Sequence, residues 1–222
     1  MRKVFWEDPY QQTLTTKVAS VEGNQIIVED TIVFSFSGGQ ESDKATLNEF
    51  AILDSRIEGY QIIYTLEEGH GLHPGDIVTM KIDWPRRYRL MRLHFAAELI
   101  LELVTRKFGL EKIGAHIAET KARIDFVYDQ NISSLFEDIL TEYNKIIERD
   151  EIIKTDFSDA ENQRRFWEIE GFSKVPCGGT HVKSTAEVGF VTLKRKNIGS
   201  SKERIEIILA DDAHSNMLFV AD

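Results

Sequence analysis

The chain has a single cysteine, Cys177, in 222 residues, so no internal disulfide can form. No stretch approaches the roughly 20 consecutive apolar residues needed to span a bilayer, and no basic start followed by an apolar run marks a signal peptide. Basic residues are also in short supply. Lys plus Arg total 27 against 37 Asp plus Glu, a formal charge of −10. That balance argues against wrapping long stretches of nucleic-acid backbone and leaves room only for a local basic patch. These absences give the expectation of a soluble protein of the reducing cytosol.

What is present is 42% hydrophobic residues, enough for a sizeable core, over a length that suits two small domains. From Val4 to about Asp83, short apolar runs such as Gln25-Ile26-Ile27-Val28 and Gln61-Ile62-Ile63-Tyr64 alternate with turn signals at Glu22-Gly23-Asn24, Glu58-Gly59 and Pro74-Gly75-Asp76. This spacing predicts a small barrel or meander. At Trp84-Pro85 the period changes. Leu90, Leu93, Ala97, Ile100, Leu101, Val104 and Phe108 recur at three and four, predicting a long amphipathic helix that stops at Gly109. The domain boundary is therefore placed after residue 84, giving domains 1–84 and 85–222. Ser134-x-x-Glu137 and Ser158-x-x-Glu161 have the form of capping boxes, each opening a helix. The stretches from Gly189 and from Arg204, joined by a turn around Asn197-Ile198-Gly199, read as a hairpin. The fold class is α+β, an amino-terminal β-barrel followed by helices packed on an antiparallel sheet.

Two pairs of side chains carry chemistry. Cys177-Gly178-Gly179-Thr180-His181 sets a thiol and an imidazole four positions apart across a glycine turn, and His94-x-x-x-Glu98 sets an imidazole and a carboxylate one helical turn apart. Taken separately, each has an ordinary explanation, a solvated helical pair or a buried cysteine at a strand end. Taken together, they are four metal donors of the types zinc prefers. Three protein ligands plus water make a catalytic site and four make a structural one, so Glu98 is open between a ligand and a general base. Arg86, Arg87, Arg89 and Arg92 crowd the start of the same helix. They read either as an ordinary solvated face or as guanidinium groups for phosphates, with Lys194, Arg195, Lys196, Lys202 and Arg204 extending that surface.

Several ordered elements resemble one family, the editing domain of alanyl-tRNA synthetases and its free-standing relatives, the AlaX-type alanyl-tRNA editing proteins. Ser37-Gly38-Gly39-Gln40-x-x-Asp43 is similar to its S-G-G-Q-x-x-D element, and Ala122-Arg123-Ile124-Asp125-Phe126 to its L-R-F-D-F. His94-x-x-x-Glu98 falls where the family carries H-x-x-x-H. Cys177 to Val182, Thr185-x-Glu187-Val188-Gly189 and Arg204-Ile205-Glu206 follow C-G-G-T-H-V, T-x-E-I-G and R-I-E. The resemblance implies a barrel joined to an editing domain and a zinc-dependent hydrolase that guards translation fidelity. Its substrate would be the ester of serine or glycine on the acceptor end of alanine tRNA. It implies metal ligands His94, Cys177 and His181 with Glu98 in place of a histidine. Gly38, Gly39, Gln40, Phe95, His116 and Arg92 are candidate substrate contacts, and Glu98, Gln40 and Thr180 candidate catalytic groups. Phe95 stands where the family often has threonine or serine, and Ala45 where it commonly has glycine. Two other readings stay open, a non-catalytic tRNA-binding module without the full metal site and a zinc hydrolase of another aminoacyl ester. Oligomeric state is not legible.

Overall fold

The computed structural model describes residues 1–211, so the final part of the expected second domain, 212–222, lies outside the described residues. The chain divides into two compact units, one of Met1–Ser37 with Glu41–Tyr88 and the other of Gly38–Gln40 with Arg89 onward. Among the described residues no helix is long and apolar enough to cross a membrane.

The first unit contains β1 (Arg2–Lys3), the one-turn helix α1 (Val4–Glu7), β2 (Thr13–Glu22), β3 (Gln25–Val28), β4 (Asp30–Thr31), β5 (Ala45–Leu47), β6 (Phe50–Ala51), β7 (Asp54–Glu58), β8 (Gln61–Thr65) and β9 (Ile77–Ile82). Seven of these strands form an antiparallel sheet in the order β6-β5-β9-β2-β3-β8-β7. Strand β2 serves two neighbours, pairing β9 through Thr13–Lys17 and β3 from Val18 onward, with a shift of register between Val18 and Ser20. Such an irregularity bends a strand and lets the sheet curl around its core. Strand β9 alternates exposed and buried residues along its whole length, the period-two pattern of a sheet with one apolar face. That face closes over Val18, Ile26, Val28, Leu47, Ile62, Tyr64, Val78 and Met80.

Two of the arginines proposed as a phosphate-binding spot are used inside this unit. Arg87 is fully buried. Its Nε donates to Asp43 Oδ1 at 2.8 Å, and its guanidinium also reaches the other Asp43 oxygen and the carbonyls of Ile32 (2.6 Å) and Pro9 (3.0 Å). Arg86 pairs with Glu41 at 2.8 Å and donates to the Ser42 carbonyl. Arg87 with Asp43 is a buried internal ion pair and Arg86 is held by partly exposed Glu41 and a backbone carbonyl, so the solvated-patch reading is corrected for both residues.

The second unit is built on α2 (Trp84–Phe108), whose first residues belong to the first unit. After it come β10 (Glu111–Ile117), β11 (Ala122–Val127), a 3₁₀ turn (Ile132–Leu135), α3 (Phe136–Arg149), β12 (Lys154–Asp159), β13 (Arg164–Ile169), β14 (Ser173–Pro176), the one-turn helix α4 (Thr185–Val188), β15 (Val191–Asn197) and β16 (Lys202–Leu209). They make two antiparallel sheets, β10-β11-β16-β15 and β12-β13-β14. The expected mixed α and β architecture with antiparallel sheets is present, and the terminal hairpin is β15 with β16. Helix α2 differs from the amphipathic expectation. Leu90, Met91, Leu93 to Ala97, Leu99 and Ile100 are all buried, so its middle is enclosed on most of its circumference, as a helix apolar all round must be.

Neither capping box forms. Ser134 Oγ donates to the Asn131 carbonyl, and Asn131 itself caps the 3₁₀ turn by accepting from Ser133 N at 3.0 Å. Ser158 lies in strand β12 and opens no helix; Asp159 and Asn162 bond each other across the turn into β13. Asn and Asp take these local bonds readily, which is why a turn competes with the helix that the spacing imitates.

Candidate metal centre

The i, i+4 spacing in α2 puts His94 and Glu98 one turn apart on a common face, with His94 buried and Glu98 partly exposed. Cys177 follows the end of β14, and its N–H donates to the Arg165 carbonyl at 2.9 Å, which ties the loop to β13. At the far end of the loop, Thr185 Oγ1 donates to the Ile146 carbonyl (2.8 Å) and accepts from Glu151 N (2.9 Å). Between these anchors the backbone at Gly179 passes directly under the His94 ring. A Cβ there would stand 2.1 Å from His94 Cε1, 2.5 Å from Nδ1 and 2.8 Å from Gln40 Oε1, so only glycine permits the approach.

The two distant pairs meet. Among the described residues, His94, Cys177 and His181 form one group whose donor atoms all lie within 4.8 Å of one another. Cys177 Sγ is 3.6 Å from His94 Nε2, 3.3 Å from His181 Nε2 and 3.6 Å from Glu98 Oε1. Glu98 Oε1 is 3.3 Å from His94 Nε2. Ligands at the usual zinc distances, about 2.1 Å for N or O and 2.3 Å for S, stand about 3.4–3.6 Å apart on a tetrahedron. The donor chemistry and these separations both fit zinc. Glu98 touches two of the three grouped donors and flanks the His94–Cys177 edge. The Nδ1 atoms of His94 and His181 are buried with no hydrogen-bond partner, so the Nε2 atoms are the ones turned toward the sulfur.

Electrostatics point the same way. Burial pushes His94 toward its neutral form, but Cys177 and Glu98 outweigh it and raise its pKa to about 10. Burial also opposes ionisation of Glu98, yet its hydrogen bond to His94, the charges of His94 and His181 and a bond from Trp167 bring it down to about 2. Burial, together with the charge on His94, keeps His181 well below the usual histidine range. The Glu98 carboxylate and the positive charge held at His94 stabilise each other, and a divalent cation would take the place of that charge.

The glycine-rich element joins the second unit rather than the first. Gly39, at φ 90°, accepts from Ile117 N at 2.8 Å, and a Cβ on it would meet the Ala115 carbonyl at 2.9 Å. This close pairing delivers Gln40, which is fully buried. Its Nε2 donates to Thr180 Oγ1 at 2.9 Å, and its Oε1 accepts from Thr180 N at 3.3 Å. Gly38 is exposed.

The other predicted residues have partners of their own. Phe95 is fully buried, edge-on to Trp167 (5.1 Å between centroids) and to His181 (5.5 Å), so it packs behind a ligand and presents no open surface. Arg92 pairs with Asp211 at 2.8 Å and donates to the Val188 carbonyl, and Arg89 donates to the Glu119 carbonyl. His116 lies on β10 opposite Arg123. Arg195 and Arg204 are paired with Glu203 and Asp125. A cavity of about 690 Å³ lined by Glu151, Ile152, Lys154, Glu168 and Glu170 includes none of the donors.

One contributor escaped the sequence reading. Trp167, in the central strand of the three-stranded sheet, donates its indole N–H to Glu98 Oε2 at 3.2 Å. The only signal for it is a tryptophan ten positions before Cys177, which by itself says nothing about a partner 69 residues away.

Residues 165–206, which contain Cys177 and His181, match the family described as the threonyl and alanyl tRNA synthetase second additional domain. Over 213 residues the chain is 33% identical to the alanyl-tRNA editing protein AlaX-M of Pyrococcus horikoshii, covering 94% of this chain and 97% of that one. It is 31% identical to AlaX-M of Saccharolobus solfataricus, over 91% of this chain and 96% of that protein. The alanine–tRNA ligase of Aeropyrum pernix is 27% identical over 95% of this chain, which spans 26% of the ligase.

Proposed function

Because the chain belongs to the AlaX-M family of alanyl-tRNA editing proteins, we propose that it is a zinc-dependent deacylase acting in trans on alanine tRNA mischarged with serine or glycine. The observation that carries this reading is the convergence of His94, Glu98, Cys177 and His181 at spacings suited to one divalent cation. With four protein donors, zinc held there would polarise an ester carbonyl or water by taking its oxygen as a fifth donor, the five-coordinate expansion open to catalytic zinc. A second sieve of this kind is needed because a synthetase pocket cannot exclude glycine and discriminates poorly against one added hydroxyl.

The chain's own groups have the following proposed roles. His94, Cys177 and His181 hold the cation, and Glu98 Oε1 is the fourth donor. Gln40 and Thr180, fixed by their mutual hydrogen bonds, set the wall of the site beside His94, and the backbone at exposed Gly38 and half-buried Gly39 offers N–H groups to the aminoacyl ester. Arg92 and His116 are proposed substrate contacts, Arg92 being held by Asp211 and the Val188 carbonyl. The first unit, proposed as the small barrel, supports the tRNA, and the second performs the editing in the cytoplasm. A different aminoacyl ester is the second reading, favoured by Phe95, which is enclosed and brings no hydroxyl to the site.

The test is hydrolysis of seryl-, glycyl- and alanyl-tRNA by the purified protein. Selective release of serine or glycine supports the proposal. Inertness toward all three with zinc bound would reject it.

A further inference from the structure

Glu98 is held by both oxygens. Oε1 faces His94 Nε2 (3.3 Å) and Cys177 Sγ (3.6 Å), while Oε2 accepts the indole N–H of Trp167 (3.2 Å). A glutamate on a helix surface would sample several rotamers, and a carboxylate beside a metal can bind through one oxygen or two. Here the choice is made by the partner. Trp167 is fully buried in the central strand of its sheet, with Thr155 opposite it on β12 and Val175 on β14. Its ring lies 5.1 Å from that of Phe95, so the donor N–H cannot swing away without disturbing the core.

We infer that Trp167 is a positioning residue that turns Glu98 into a one-oxygen donor, fixing Oε1 on the His94–Cys177 edge by occupying Oε2. Two-oxygen chelation would require giving up a buried indole hydrogen bond and leaving the N–H without an acceptor. The arrangement is a carboxylate counterpart of the outer hydrogen bond that orients a ligating histidine. It rests on the metal reading given above and adds to it the residue that sets the mode of carboxylate binding.

The experiment is a zinc-affinity cycle by competition with a chromophoric chelator, using wild type, W167F, E98A, the W167F/E98A pair and C177A. W167F should weaken zinc by about 10- to 100-fold, the usual effect of removing an outer-shell partner. In the E98A background it should cause no further loss. An affinity within about twofold of wild type for W167F, about 0.4 kcal/mol, would overturn the inference. So would an equal loss with and without Glu98, which would mean that the ring acts by packing on Phe95. Failure of the metal reading is distinguishable, because C177A would then bind zinc as wild type does. If W167F does not fold, the indole N–H resonance of Trp167 in zinc-loaded wild type and E98A decides. A hydrogen-bonded N–H that shifts upfield in E98A supports the inference, and one unmoved by loss of Glu98 contradicts it.

Discussion

His94 Nε2 lies 3.6 Å from Cys177 Sγ, although 83 positions separate the two residues in the chain. Helix α2 supplies one and the loop after β14 the other, so the contact exists only in the folded second unit. Cys177→Ala and His181→Ala should each abolish zinc retention and cost more than the roughly 10- to 100-fold that an outer-shell change costs. Circular dichroism should remain native, because the sheets and α3 are formed elsewhere. Metal analysis beside deacylation rates checks this, and undiminished hydrolysis in either variant would refute the ligand assignment.

The place of Glu98 predicts the effect of giving it the family's histidine. With one oxygen facing the donor set and the other accepting from Trp167, Glu98 is in the proposed arrangement a ligand rather than a base. Glu98→His should therefore bind zinc at least as tightly and keep kcat within about tenfold, about 1.4 kcal/mol of barrier. Tight zinc with a far larger loss of kcat would show that the carboxylate is a base.

Gly179 has no room for a methyl group. In Gly179→Ala the Cβ would fall 2.1 Å from His94 Cε1, so either the ring or the loop must move. The expected cost is about 1–3 kcal/mol of stability, as for overpacking in a core, together with weakened zinc binding. Thermal melting and chelator competition read the two effects, and a variant unchanged in both would show that the loop yields freely.

The Arg87–Asp43 pair separates stability from chemistry. Asp43→Ala leaves a fully buried guanidinium without its carboxylate and should destabilise by about 3–5 kcal/mol. The site lies in the second unit, so the kcat of the folded variant should be close to wild type at low temperature. Urea unfolding checks the first statement and single-turnover deacylation the second.

Acid sensitivity should trace in part to Glu203, which is buried on β16. Arg195 donates to it through Nε and at 2.6 Å through a second nitrogen, and Asn197 donates at 2.8 Å. These bonds, led by those from Arg195 and opposed by desolvation, hold its pKa below the usual 4.5. A depressed folded pKa contributes stability that is present above the unfolded value and lost as pH falls through the folded one. The melting temperature of wild type should therefore drop more steeply below pH 4.5 than that of Glu203→Gln. Parallel profiles would contradict it.

Local spacing made half of the candidate site legible. The i, i+4 pair 94/98 and the Cys-Gly-Gly-Thr-His turn both express short-range geometry, and each half folds as its spacing implies. What spacing could not reveal was any bond closed over long distance. The arginines at the start of α2 read as a phosphate patch because their acceptors, Asp43 for Arg87 and Asp211 for Arg92, are 44 and 119 positions away. The three-stranded sheet carrying Trp167 went unseen for the same reason, since Ser158-x-x-Glu161 imitates a helix start where Asp159 and Asn162 make a strand turn. In the first unit the alternating runs were enough to give antiparallel strands, but the register break that bends β2 has no signature in the hydrophobic pattern.

The central claim is that a cation bound by His94, Cys177 and His181 is required for removal of the wrong amino acid. The most direct measurement is deacylation of seryl-tRNA for alanine by the purified protein after metal stripping and again after adding one equivalent of Zn²⁺. The account predicts that stripping abolishes hydrolysis and that zinc restores it. Hydrolysis at the full rate by verified metal-free protein would contradict it.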